Sequence, residues 1–253
     1  MEFVANEVKF VKNILEKKQL TPRKATKELR LVVQYNLTLG YSLEESVDFV
    51  IEFINQVNGD NSGERWRKTL NGMAKDLLKK NDLKMRMVEE IVITKNEWSI
   101  IENLEKDHIR RYAFGLLVYS KVLNHDKNSQ WVTIDNTSAF LKDVGVSANA
   151  ETREKYFNVL KKEGMITNAK KAGSLAIRVD FEEKEGEPFI IIPEEQIKHF
   201  ITYYDEQYGC TVANCQLCNG RYTIPKTKGR KPIYCKDCTK ERNRLRKQKE
   251  REC

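Results

Sequence analysis

Apolar side chains recur at helical spacing through the first third of the chain. Val47, Val50, Ile51, Ile54 and Val57 form one stripe, the period expected of a helix with one buried face. Ser42 and Glu45 precede it as a Ser-x-x-Glu capping box,. An earlier stripe, Leu29, Val32, Val33, Tyr35 and Leu37, runs up to Gly40. Thr21 is its expected N-cap, with Pro22 at the first helical position,. After the loop Asn58–Gly63, Arg65 to Lys80 brings Trp66, Leu70, Met73 and Leu77 to one side. The pattern predicts a helical domain over residues 1–84. It holds no catalytic constellation and is the place where a protein partner would bind.

Residues 80–90 are charged and read as a connector. Thr94 and Glu97 then repeat the capping-box pattern ahead of Trp98, Ile101 and Leu104, and Arg110–Leu123 carries Phe114, Leu117, Val118 and Val122 on one face. Trp131–Asp135 is β-prone. A short helix comes next, capped by Asp135 or Asn136, then a turn, then a helix from Asn149 to Glu163 stopped by Gly164. Residues 165–182 read as strand, basic turn and strand, with Lys170 and Lys171 in the turn and Leu175, Ile177, Val179 and Phe181 alternating in the second strand. Helix, strand, helix, turn, helix and two-stranded wing is the order of a winged helix-turn-helix, expected over residues 91–182. Tyr156, Phe157 and Leu160 mark the inner face of the Asn149–Glu163 helix. Its polar face offers Thr152, Arg153, Lys155, Asn158, Lys161 and Lys162, side chains suited to base edges and phosphates. Glu151, Glu154 and Glu163 dilute that charge, so the module could equally bind protein. Residues 183–209 supply a strand, Phe189–Ile192, and a helix from Pro193 to Gly209 that reads as a strut for the C-terminal segment. The fold class is mainly α with small β.

Charge changes the picture at one end. Residues 221–253 hold 13 Lys/Arg against 4 Asp/Glu, whereas residues 1–220 hold 32 against 33. The whole net charge of +8 therefore resides in the last segment, a footprint for an anionic partner and for DNA above others. The basic side chains are Arg221, Lys226, Lys228, Arg230 and Lys231 in the sequence between the cysteine pairs, and Arg242, Arg244, Arg246 and Lys247 in the helix-prone tail, residues 241–253.

Cys215-x-x-Cys218 and Cys235-x-x-Cys238 stand sixteen residues apart. Two residues between ligands let one tight turn aim both sulfurs at a single metal, and two such pairs fit one tetrahedral, structural Zn²⁺. Asn219-Gly220 supplies the turn chemistry, with Gly expected at positive φ. Tyr222, Ile224 and Ile233 suggest a hairpin between the pairs, so residues 210–240 read as a zinc ribbon. With few apolar side chains there, the metal must supply much of the folding energy. Cys210 fits the spacing poorly, and Cys253 is expected to be free.

The stretches "ITKNEWSII", "RRYAFGLLVYSK" and "YCKDC", with "LVVQYNLTLGYSLEESVDFVIEFI" nearer the N-terminus, resemble a group of uncharacterised bacteriophage and prophage proteins. These join a winged-helix-like domain to a C-terminal zinc ribbon with four cysteine ligands. The resemblance implies a DNA-transaction role, in replication initiation or transcriptional control, within a bacterial host's cytoplasm or nucleoid. A protein-binding adaptor or inhibitor of a host system is the alternative it leaves open. It carries over no catalytic residue. The residues point the same way, to a protein that is not an enzyme: "GDNSGE" lacks the Lys of a phosphate-binding loop, no His-x-Glu precedes the cysteines as in zinc deaminases, and His108, His125 and His199 all lie outside the cysteine pairs. No apolar run nears the roughly 18 residues of a membrane span.

Overall fold

Asn6 opens the first helix, its side chain accepting from the Lys9 N–H at 2.9 Å. The computed structural model describes residues 4–21, 24–59, 61–127, 129–134, 136–168, 176–225 and 231–252. The chain divides into two compact units, one of residues 4–87 and one that runs from 88 to the C-terminus. It is mainly helical with small antiparallel sheets. No helix among the described residues is long and apolar enough to cross a membrane.

The first unit is four helices: α1 (Glu7–Lys17), α2 (Ala25–Thr38), α3 (Leu43–Asn58) and α4 (Arg67–Lys79), the last entered through a 3₁₀ turn, Asn61–Trp66. Val11, Leu29, Val32, Val33, Val50, Ile54, Leu70, Ala74 and Leu77 form its core. Ser42 and Glu45 make both halves of the expected capping box. Gly40, at φ +92°, takes the left-handed backbone that lets the chain leave α2,. α2 begins later than Thr21 would set it. The Lys24 N–H bonds the Thr21 carbonyl at 2.8 Å, while the Glu28 carboxylate reaches back to the Thr21 N–H at 2.8 Å. That exchange closes a turn before the helix rather than capping it at Thr21; Pro22 lies outside the described residues. The expected connector, residues 80–90, is divided: it belongs to this unit up to residue 87 and to the second unit beyond it. Met85 is buried in the core, and Glu7 and Arg86 exchange hydrogen bonds at 2.8 Å.

The second unit starts with β1 (Glu90–Thr94), α5 (Lys95–Glu102) and α6 (Asp107–Leu123). It continues through β2 (Trp131–Thr133), α7 (Thr137–Asp143), α8 (Ala150–Lys162), β3 (Ile166–Asn168) and β4 (Ala176–Val179). Asn136 caps α7 and Asn149 caps α8, each through its own side chain; Asp135, the other candidate cap, lies outside the described residues. The three strands form an antiparallel sheet in the order β2-β4-β3. α6 and α7 meet closely at Gly115, where an added Cβ would lie 2.1 Å from the Val144 side chain.

β5 (Pro188–Pro193) pairs antiparallel with β1, Ile91 opposite Ile192 and Ile93 opposite Ile190. A 3₁₀ stretch, Glu194–His199, then leads into α9 (Ile201–Gln207). The segment expected as a strut is therefore part of the core: Phe200 and Tyr204 are fully buried, and their rings pack on Phe114 at 6.0 and 5.7 Å. A buried charge holds this arrangement. The Glu97 carboxylate is fully buried and accepts from the Thr94 N–H at 2.8 Å, the Glu183 N–H at 2.7 Å and the Lys121 ammonium at 2.8 Å. Such a charge is tolerated because its lone pairs are satisfied.

The unit closes with β6 (Val212–Asn214), β7 (Arg221–Thr223) and α10 (Lys236–Glu252).

Candidate metal centre and nucleic-acid interface

The cysteine module is built around a hairpin that spacing alone misplaces. β7 pairs with β6, Val212 opposite Thr223 and Asn214 opposite Arg221, so the partner strand lies before the first cysteine pair and not near Ile233. Ile233 instead gives its carbonyl to the Gln216 N–H at 3.2 Å, drawing the two knuckles together. In the first knuckle the Cys215 N–H bonds the Gly220 carbonyl at 3.0 Å and the Asn219 N–H bonds the Cys215 carbonyl at 2.9 Å. Asn219, at φ +55°, takes the left-handed position expected of the glycine. Gly220 serves another need: a Cβ there would sit 2.1 Å from His199 Nε2. The imidazole packs directly on the knuckle backbone, and burial lowers its pKa.

The second knuckle is the start of α10. Cys235 lies just before the helix and Cys238 in its first turn. The Cys238 N–H points at Cys235 Sγ, 3.4 Å away, and the Thr239 hydroxyl donates to the Cys235 carbonyl at 2.9 Å. All four Sγ atoms fall within 4.8 Å of one another, and those of Cys218 and Cys235 are 3.9 Å apart. Tetrahedral ligation at about 2.3 Å requires sulfur–sulfur separations of about 3.8 Å, so the cage has the size of one metal ion.

Protonation points the same way. Burial opposes ionisation of Cys215, but backbone N–H groups of Cys235, Cys218 and Leu217 hold its thiol down to about 6. Cys218 is pushed up by burial and by sharing protons with Cys215 and Cys235. Cys238 is pushed up by the hydrogen bonds of Cys235 and Cys218. Four thiolates in so small a space need a cation to ionise together, and that donor set fits a divalent metal held by sulfur alone.

The module is fastened to the rest of its unit by polar contacts. Gln196 accepts from the Arg221 N–H at 3.0 Å and donates to the Asn219 carbonyl at 3.2 Å. Asp205 receives the Thr223 hydroxyl on one oxygen and the Arg111 guanidinium of α6 on the other. Arg111 also bonds Asp107 at 2.9 Å. Arg221, expected to face nucleic acid, bonds Glu206 at 2.6 Å and stacks on Tyr203 at 4.1 Å. It is a docking residue, and its place near acidic α9 leaves no signal in the sequence because their separation is fixed only by the fold. Lys142 at the end of α7 reaches Asp237 of α10 at 3.7 Å.

The expected α8 face is mixed. Lys161 and Lys162 are exposed, and Lys155 is exposed but paired with Glu151 at 2.7 Å. Asn158 is exposed as well. Thr152 is half-buried in the first turn, its N–H bonded to the Asn149 cap. Arg153 turns inward: its Nε is buried with no hydrogen-bond partner, and its charge acts on Tyr112. Along α10, Arg242 lies over Tyr234 at 4.4 Å, Arg244 bonds Glu241 at 2.6 Å and Arg246 approaches Glu250 at 3.5 Å. Lys231 and Lys247 are exposed. Lys170, Lys171, Lys226, Lys228, Arg230 and Cys253 lie outside the described residues. The sequence gives no sign of the parts played by His199 and Asp205, since neither stands in a motif and each acts across the fold.

Compared with protein-family models, curated proteins and solved structures, the chain finds no match in any of the three.

Proposed function

We propose that this chain is a non-enzymatic DNA-binding protein of a phage or mobile element, acting in replication initiation or transcriptional control. In this reading residues 91–182 are a winged helix-turn-helix, and the four cysteines hold one structural Zn²⁺. The observation that carries it is the agreement of two orders. The chain runs α6, β2, α7, α8, β3, β4, and the sheet runs β2-β4-β3, which puts the hairpin's return strand in the middle beside the strand that precedes the helix pair. That is the layout in which the second helix of the pair enters a major groove. The basic excess of residues 221–253 supports the same partner. Cys215, Cys218, Cys235 and Cys238 would hold the Zn²⁺, whose chemistry here is to offset half the charge of four thiolates and fix two turns.

The experiment is selection of preferred duplexes from a random pool with the full chain, followed by Asn158→Ala and Lys161→Ala. Loss of a base contact at Asn158 should cost about 1–3 kcal/mol of discrimination. Lys161→Ala should weaken all sequences alike. Absence of duplex binding even at low salt would overturn the proposal. One observation favours the second reading, a protein-binding adaptor: Leu39, Tyr41 and Phe49 of the first unit are exposed at 58, 48 and 39 %.

A further inference from the structure

From Thr239 to Glu250 every residue of α10 is exposed. No apolar face holds this stretch to a core, so what its surface displays is a guide to its partner. At about 100° per residue, Lys236, Lys240, Arg244 and Lys247 fall along one line. Arg242, Arg246 and Lys249 fall along a second line, roughly 150° around the helix from the first. Thr239 and Asn243 occupy the narrower seam between the two lines, with Glu250 at its far end beside Arg246. Asp237, Glu241, Leu245 and Gln248 share the wider seam behind them.

We infer that α10 is inserted lengthwise into the major groove of B-form duplex DNA, with one basic line against each phosphate wall. This deepens the DNA-binding reading above and rests on it. A helix lying on a surface needs cations on one side only; two lines splayed around a polar seam match a trough with two charged walls. The major groove is about 12 Å wide and admits a helix of that diameter. A-form RNA offers a groove too narrow for one. The narrow seam would face the groove floor, where Asn243 can meet base edges. The wide seam is the side turned to the protein at the helix start, where Asp237 meets Lys142, so the floor-facing seam points away from the body. Arg244–Glu241 and Arg246–Glu250 do not oppose this, since exposed pairs exchange for phosphate at little cost.

The test uses the full, metal-loaded chain and two triple variants, Lys240→Gln/Arg244→Gln/Lys247→Gln and Arg242→Gln/Arg246→Gln/Lys249→Gln. Each is titrated with salt against a mixed-sequence DNA duplex of about two turns and its RNA counterpart. Helix content and zinc content of the variants serve as the folding control. Each triple should flatten the slope of log affinity against log salt by about 2–3 units on DNA, and the parent should bind RNA duplex less tightly. A parent that binds no duplex sinks the DNA-binding reading and this inference with it. A parent that binds DNA while one triple alone matters leaves that reading intact and overturns groove insertion, and so does a parent for which neither triple matters. Equal binding to duplex RNA overturns it as well.

Discussion

The first unit and the cysteine module solve the same problem with different materials. Residues 4–87 bury apolar stripes from four helices, with Val50, Leu70 and Leu77 among the side chains that have no exposure at all. Burial of one such side chain contributes about 1.5–3 kcal/mol, so no single residue is indispensable. Among the described residues of 210–240, little is buried besides Cys215, Gly220 and Cys235. There the organising centre is four sulfurs within 4.8 Å. Distributed burial gives graded sensitivity to change, whereas one shared centre gives an all-or-none response.

Removing the Zn²⁺ proposed for the four sulfurs should separate the two most sharply. Structural zinc contributes about 10–16 kcal/mol to the folding of comparable small modules. Chelation, or Cys235→Ser, should therefore unfold residues 210–252 while the helical signal of the first unit melts as before. Hydrogen exchange resolved along the chain reads both halves at once. Equal protection of the ribbon with and without zinc would break the comparison. Leu70→Ala should do the converse, destabilising the first unit by about 2–5 kcal/mol and leaving the metal content of the chain, read by elemental analysis, equal to the parent's.

The smallest expected effect concerns acid. In the first unit the Ser42 backbone and hydroxyl hold Glu45 below the usual carboxylate range, and Arg67 does the same for Glu64. Their contributions are present above the unfolded pKa and are lost as pH falls through the lowered folded values. In the second unit burial pushes Glu182 up, with the Ser120 hydroxyl opposing. Its sign is reversed: the protonated form is favoured on folding, so its contribution is present at low pH and lost as pH rises through the raised folded value. Glu182→Gln should raise the melting temperature at pH 7 and have no such benefit near pH 4. A benefit of the same size at both pH values would show that the carboxyl is not the cause.

Local rules are legible in the chain where the physics is local. Both capping boxes, Asn136 as one of two candidate caps, and the stop at Gly40 depend on residues within a turn of one another, whereas Asn149, read as the first residue of its helix, is in fact its cap. The four-sulfur cluster is legible for the same reason, because Cys-x-x-Cys fixes each pair of sulfurs without help. Pairing across distance is not. β1 hides in "EIVIT" because nothing nearby indicates that its partner is β5, beyond the whole of the three-stranded sheet. Spacing puts the hairpin on the wrong side of Cys215 because the strand that pairs with β7 lies across the first cysteine pair, and nothing local to Tyr222 and Ile224 marks it. Arg153 has the chemistry of a base-reading side chain, yet its Nε is buried and its charge faces Tyr112 of α6, a choice made by packing and invisible to spacing.

The merging of the second knuckle with α10 has a mechanical consequence. Cys238 is at once a side of the cage and a residue of the helix's first turn, so the helix is a lever whose fulcrum is the cage. From Lys236 to Glu250 its arm is about 21 Å at 1.5 Å per residue. A tilt of roughly 10° at the fulcrum would carry the far end about 4 Å. Stiffness at the four sulfurs thus sets how narrowly the far turn of the helix is placed in space.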